Sequence, residues 1–91
     1  MSDNQSEQTL LEFPVEFPIK IMGPNTADFI AEIKQRVTHQ LTDLPESAWS
    51  QRPSGSGNYV GLTVTFVAQS QAQLDAVYST ITAHPDVKMC L

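Results

Sequence analysis

YVGLTVTFVAQ, residues 59–69, is the stretch around which the rest of the chain arranges itself. In an extended backbone Leu62, Val64, Phe66 and Ala68 fall on one side, and Thr63, Thr65 and Val67 on the other. Alternation with period two, built largely from β-branched and aromatic residues, predicts a strand with one buried and one more polar face. Immediately before it, Ser54-Gly55-Ser56-Gly57-Asn58 supplies turn residues, and SAWSQRPS, residues 47–54, reads as a weaker strand leading into that turn. The two form a hairpin.

Further toward the N-terminus, Asp43-Leu44-Pro45 ends a segment with a different period. Over residues 26–42, Ile30, Ile33, Val37 and Leu41 recur at three- and four-residue steps with Phe29 beside them, which predicts a helix. Asn25 or Thr26 can cap its free N–H groups, and Asp28 suits the positive end of its dipole. Glu32 and Arg36 stand at i and i+4 in the favourable order and are expected to pair on a solvated face. Ahead of this helix, FPIKIMG at 17–23 alternates again, with Ile19 and Ile21 on one face and Lys20 and Met22 on the other. That is a strand, with Pro18 expected at its beginning because proline removes a ladder hydrogen bond.

On the C-terminal side, residues 70–83 read as a second helix. Ser70 and Gln73 have capping-box spacing, and Leu74, Val77, Tyr78 and Ile81 form its buried stripe. His84-Pro85-Asp86 stops it, and Val87–Leu91 is a final strand, with Val87, Met89 and Leu91 opposite Lys88 and Cys90. The order β-α-β-β-α-β predicts an α+β, ferredoxin-like two-layer sandwich. Right-handed crossovers put both helices on one face of a four-stranded antiparallel sheet. The first and third strands are expected at the centre. The opposite face is left open, carrying Lys20, Met22, Thr63, Thr65, Lys88 and Cys90.

Ninety-one residues with 41% hydrophobic and 16% charged side chains suit one globular domain rather than a disordered or membrane chain. No run of about 18 apolar residues is present, so no membrane-spanning helix is expected. The N-terminus lacks the basic and apolar regions of a signal peptide, and the lone Cys90 cannot form an internal disulfide. A cytoplasmic location is expected. Four carboxylates and no Lys or Arg fall in residues 1–16; the remainder has six acidic against five basic residues. Residues 1–14 are therefore read as an acidic leading segment and residues 15–91 as the domain. Leu10, Leu11 and Phe13 are expected to fold back over an edge of the core, the alternative being a docking peptide.

Groups able to do chemistry are sparse. His39 and His84 lie in different elements without metal-ligand spacing and are expected as solvent-facing or helix-end residues. Cys90 is expected as a small, half-buried side chain. Asp28 and Glu32 share a helical face, expected as solvated. Neither a nucleophile triad nor a zinc motif is present, and no cofactor is expected. The most distinctive stretch runs from Arg52 to Tyr59. Its glycines, serines and arginine could cradle an anion through backbone N–H groups, or form a long hairpin turn. Arg52, Ser54, Gly57, Asn58 and Tyr59 are its candidate contact residues. The open face has no aromatic among Lys20, Met22, Thr63 and Thr65, and the chain has no basic excess, so nucleic acid is an unfavoured partner. Self-association, including a homodimer, or contact with a partner remains the use for that face.

LLEFP at 10–14, Lys20-Ile21-Met22-Gly23, Arg52-Pro53-Ser54 with Gly57-Asn58-Tyr59, and Val87-Lys88-Met89 together resemble the YbeD-like family of small bacterial proteins. The resemblance covers roughly residues 10–91. It implies a ferredoxin-like fold similar to the ACT regulatory domains of amino-acid biosynthetic enzymes. It carries over no catalytic residue, and it brings an association with lipoate-attachment genes. It also places a lysine where this chain has Ser56, which weakens an anion-binding role for the loop here. The expected function is a non-catalytic regulatory or adaptor domain that binds a partner protein or a small metabolite. The alternatives are an RNA-binding module using the open sheet face, or an enzyme of unrecognised type with a site assembled between subunits.

Overall fold

The computed structural model describes residues 12–91. Leu10 and Leu11 lie outside the described residues; Phe13 packs partly against the core. The elements run β1 (Val15–Pro24), α1 (Ala27–Gln40), a 3-10 turn (Glu46–Ala48), β2 (Trp49–Pro53), β3 (Tyr59–Ala68), α2 (Gln71–Thr82) and β4 (Met89–Cys90). The sheet order is β2-β3-β1-β4 with every pairing antiparallel, the ferredoxin-like arrangement.

β1 and β3 pair along their whole length, from Val15↔Ala68 to Pro24↔Tyr59. Ile19 and Ile21 of β1 meet Val60, Leu62, Val64, Phe66 and Ala68 of β3 in one core, together with Phe29, Ile33 and Val37 of α1 and Leu74, Val77 and Ile81 of α2. Both helices therefore cover the same sheet face, and burying each of these larger side chains contributes about 1.5–3 kcal/mol.

Pro18 is the fourth residue of β1 rather than its first. Lys20 exchanges both backbone hydrogen bonds with Leu91, so its N–H and C=O point away from β3. Pro18, two residues earlier, faces the same way, toward the edge that β4 leaves uncovered. The donor it lacks is one that β3 does not need, and proline there blunts an otherwise open edge.

The helix starts follow the capping residues. Thr26 Oγ1 accepts the N–H of Phe29, and Ser70 Oγ accepts that of Gln73. Gln73 Oε1 returns to the N–H of Gln69, one residue before the cap. Phe29 is buried on α1 together with Ile33 and Val37, with Ile30 only half-buried. Its ring lies against the backbone at Gly23, where an added Cβ would come within 2.2 Å of Phe29 Cζ.

Two expectations for the helix layer are corrected. Glu32 and Arg36 do not pair with each other; each reaches across to α2 and the turn after it. Arg36 donates to the carbonyl of Thr80 at 3.0 Å. Glu32 Oε1 lies 2.7 Å from Nε2 of His84, which is buried at 5% exposure rather than solvent-facing. His84 Nδ1 accepts the N–H of Asp86, so the ring proton is on Nε2 and is donated to Glu32. The ring stands edge-on to Phe29 with centroids 5.2 Å apart. With both ring nitrogens hydrogen-bonded, the imidazole meets the requirement for a buried polar group.

β4 is also corrected. Only Met89 and Cys90 form its ladder, and the pairs Met22↔Met89 and Ile21↔Cys90 set its facing. Met89 and Leu91 lie on the open face; Cys90 turns toward the core side. Lys88 precedes the ladder, where its N–H bonds Met22 O, and it does not line the concavity of the open face. Val87 N–H bonds His84 O in the turn and Lys88 N–H bonds Met22 O, already the partner of Met89, so alternation from Val87 does not carry through to Met89. Burial pushes the Cys90 thiol up, and burial followed by the nearby Cys90 does the same to the Tyr78 phenol.

Gly23→Ala is expected to lower stability by about 1–3 kcal/mol in urea unfolding, through overpacking against Phe29. The same change in a Phe29→Leu background should cost clearly less; equal costs would refute the contact. Cys90, holding its proton above the usual thiol range, should alkylate several-fold more slowly at about pH 8 in the folded chain than in urea. Equal rates would return Cys90 to the open face.

Candidate functional site

The antiparallel register lays two rows of side chains across the open face. One row is Arg52, Gly61, Met22 and Met89, from β2, β3, β1 and β4. The next is Ser50, Thr63, Lys20 and Leu91, the last joined to Lys20 by its paired backbone bonds. Gly61 has no side chain in the middle of the first row, so the sheet is hollow there. Around the hollow is a concavity of about 340 Å³, walled by Lys20, Met22, Arg52, Tyr59, Met89 and Leu91.

This concavity unites two sets of residues that the sequence presents separately. Arg52, Ser54 and Tyr59 of the hairpin line it together with Lys20, Met22 and Thr63 of the sheet face. The remaining candidates fall elsewhere. Thr65 lines a neighbouring groove with Trp49 and Val67. Gly57 and Asn58 brace the hairpin: the carbonyls of Gly57 and Asn58 accept Asn25 Nδ2–H and Asn25 N–H. Lys88 is not among the residues that line the concavity.

The hairpin consumes its own donors. Ser54 N–H bonds Tyr59 O, and Gly57 N–H bonds Ser54 O. The N–H groups of Tyr59 and Asn58 go to the hydroxyls of Ser54 and Ser56. Gly57, at φ +81°, supplies the left-handed residue that closes the turn. With these four N–H groups engaged, the loop's side chains that reach the concavity are those of Arg52, Ser54 and Tyr59.

Met22, Tyr59, Met89 and Leu91 are 42–66% exposed, and they are four of the five large apolar side chains at the surface of the described residues. Their clustering is what distinguishes this face, since single exposed apolar residues are ordinary. Two of the wall residues were missed from sequence. Met89 and Leu91 were placed on the buried side by alternation from Val87. Gly61 gave a signal, a glycine on the outward phase of a strand otherwise filled with Tyr, Thr and Val. It was readable as a gap in the outer face. An Ala Cβ at Gly61 would meet only Arg52 O at 3.8 Å, so neither backbone angle nor packing demands glycine.

The concavity holds a lysine, an arginine and the three hydroxyls of Ser54, Tyr59 and Thr63 among apolar walls. No His, Cys, Asp or Glu among the described residues lines it. Such a lining can hold and orient a ligand through apolar contact, charge and hydrogen bonds.

Solved structures show the same architecture. The solution structure of protein HP0495 from H. pylori superposes with a TM-score of 0.72 at 14% identity, covering 100% of this chain and 93% of that one. The C-terminal domain of the MgtC protein from Mycobacterium tuberculosis gives 0.66 at 12% identity, covering 89% and 88%. At these identities the likeness is one of fold. Sequence relatives are nearer. A UPF0250 protein of Leptothrix cholodnii is 42% identical and one of Chromobacterium violaceum 44% identical, each over 91 residues and the full length of both chains. The family model described as "Protein of unknown function (DUF493)" matches residues 8–91. With nearly every residue of the domain aligned to it, the chain belongs to the DUF493 family, the YbeD-like UPF0250 proteins of bacteria.

Proposed function

We propose that this chain is a non-catalytic regulatory or adaptor domain that works by binding at the open face of its sheet. One observation carries the reading: the exposed apolar side chains gather around a hollow that Gly61 leaves open without any steric need for glycine. A strand-interior glycine costs stability relative to a residue with a side chain. A hollow kept at that cost is understandable if something fills it. The ferredoxin-like fold places the hollow on the side away from the helices, so binding need not disturb the core.

A base-stacking RNA site is less well supported. Tyr59 is the one aromatic in the concavity lining, and the chain has a net charge of -5. An enzymatic reading is less well supported, since no His, Cys, Asp or Glu among the described residues lines the concavity to activate Lys20, Ser54 or Tyr59.

Gly61→Val fills the hollow with a good strand former and is expected to keep or slightly raise stability. Native mass spectrometry of the full chain, isolated gently from its own cells, provides the comparison. The wild type should retain a companion mass, either a small molecule of a few hundred daltons or a stoichiometric second protein. Gly61→Val should lose it while unfolding at the same or higher urea concentration. A bare wild-type chain, or a companion held equally by Gly61→Val, would contradict the reading.

A further inference from the structure

Charge distribution narrows what the hollow accepts. The chain has five Lys and Arg residues against ten carboxylates. Lys34 is engaged by Glu46 and lies near the Trp49 ring, and Arg36 is committed to the carbonyl of Thr80. Of the other three, Lys20 and Arg52 both line the concavity, and neither makes a salt bridge among the described residues. Among the described residues no Asp or Glu side chain lines it. An acidic protein thus presents, in its apolar hollow, two cationic side chains and, among the described residues, no acidic one.

Their placement fits a common target. Arg52 and Lys20 root on β2 and β1, either side of β3, one row apart. Two strand spacings and a two-residue step put their Cα atoms roughly 12 Å apart across the Gly61–Thr63 segment. Both side chains are long enough to converge over the gap. Apolar walls lower the local dielectric, which strengthens attraction to an anion relative to open water. Met22 and Met89 form a soft wall that adapts to varied apolar shapes. A volume of about 340 Å³ suits a small molecule rather than a folded partner.

We propose that the concavity is a receptor for a small organic anion with an apolar body, its charged group held between Lys20 and Arg52 and its body against Met22, Met89, Leu91 and Tyr59. This rests on the open face being the binding surface, and it adds the chemical class of the ligand.

The test uses the fluorescent anion anilinonaphthalene sulfonate, titrated into the full chain. Competitors share an octyl tail and differ in head group: octyl sulfate, octyl glucoside and octyltrimethylammonium, all below their micelle concentrations. Octyl sulfate should displace the probe at a concentration at least about ten-fold lower than the other two. A Lys20→Ala/Arg52→Ala variant, its fold checked by circular dichroism, should bind the probe about ten-fold more weakly and lose the preference. Amide shifts caused by octyl sulfate should centre on Lys20, Met22, Arg52, Gly61, Thr63 and Met89. Equal displacement by all three detergents, with shifts at those same residues, would overturn the anion assignment and leave the binding face intact. Shifts centred elsewhere, as for a patch that accepts only a second copy or a peptide, would overturn the receptor itself. An unchanged affinity in the double variant would also overturn the role of the two cations.

Discussion

The ten-residue ladder between β1 and β3 is the constraint on which everything else depends. Its register decides which side chains meet the helices and which face away, because a slip of one residue would exchange the two sets. In the observed register Ile19, Ile21, Leu62, Val64 and Phe66 are buried, while Lys20, Met22, Gly61 and Thr63 face outward. The core and the candidate site are two sides of one pairing. The burial of five large apolar side chains holds the site's residues in place without those residues contributing to the hold.

The helix layer is locked by a smaller set of contacts at one end of the sheet. Gly23 admits the Phe29 ring, Phe29 supports the edge of His84, and His84 joins Glu32 of α1 to the turn after α2. The same turn sets where β4 begins. The phase of β4 brings Met89 and Leu91 to the open face, so this cluster reaches the candidate site indirectly. Pro18 acts on the other half of that edge, where it limits pairing beyond Leu91.

Much of the architecture was legible because β1, β3 and both helices carry strong periodic patterns. Strand order and helix sides followed from the order of the elements. The details that failed were those where a tertiary contact overrides local pattern. His84 has no sequence signature of burial, since its partners Glu32 and Phe29 are about fifty residues away. Glu32 and Arg36 satisfy a helical pairing rule, yet longer-range acceptors and donors take them. β4 is short enough that alternation alone could not set its phase. Arg52, Ser54 and Tyr59 were legible as a distinctive stretch, and Lys20, Met22 and Thr63 as an outward face. That the two adjoin required the hairpin register, which places Arg52 opposite Gly61 and beside Met22.

A binding role for the open face requires that it be occupied in the cell. Met22 and Met89 report on this directly, since both are exposed in the isolated chain and their thioethers oxidise according to access. The decisive measurement is their rate of sulfoxide formation under dilute peroxide, by mass spectrometry, in fresh extract of the native cells and in the purified chain. Rates are normalised to an added unstructured methionine peptide. The account predicts rapid oxidation of both in the purified chain and marked protection of both in the extract. Equal normalised rates in the two settings would contradict it.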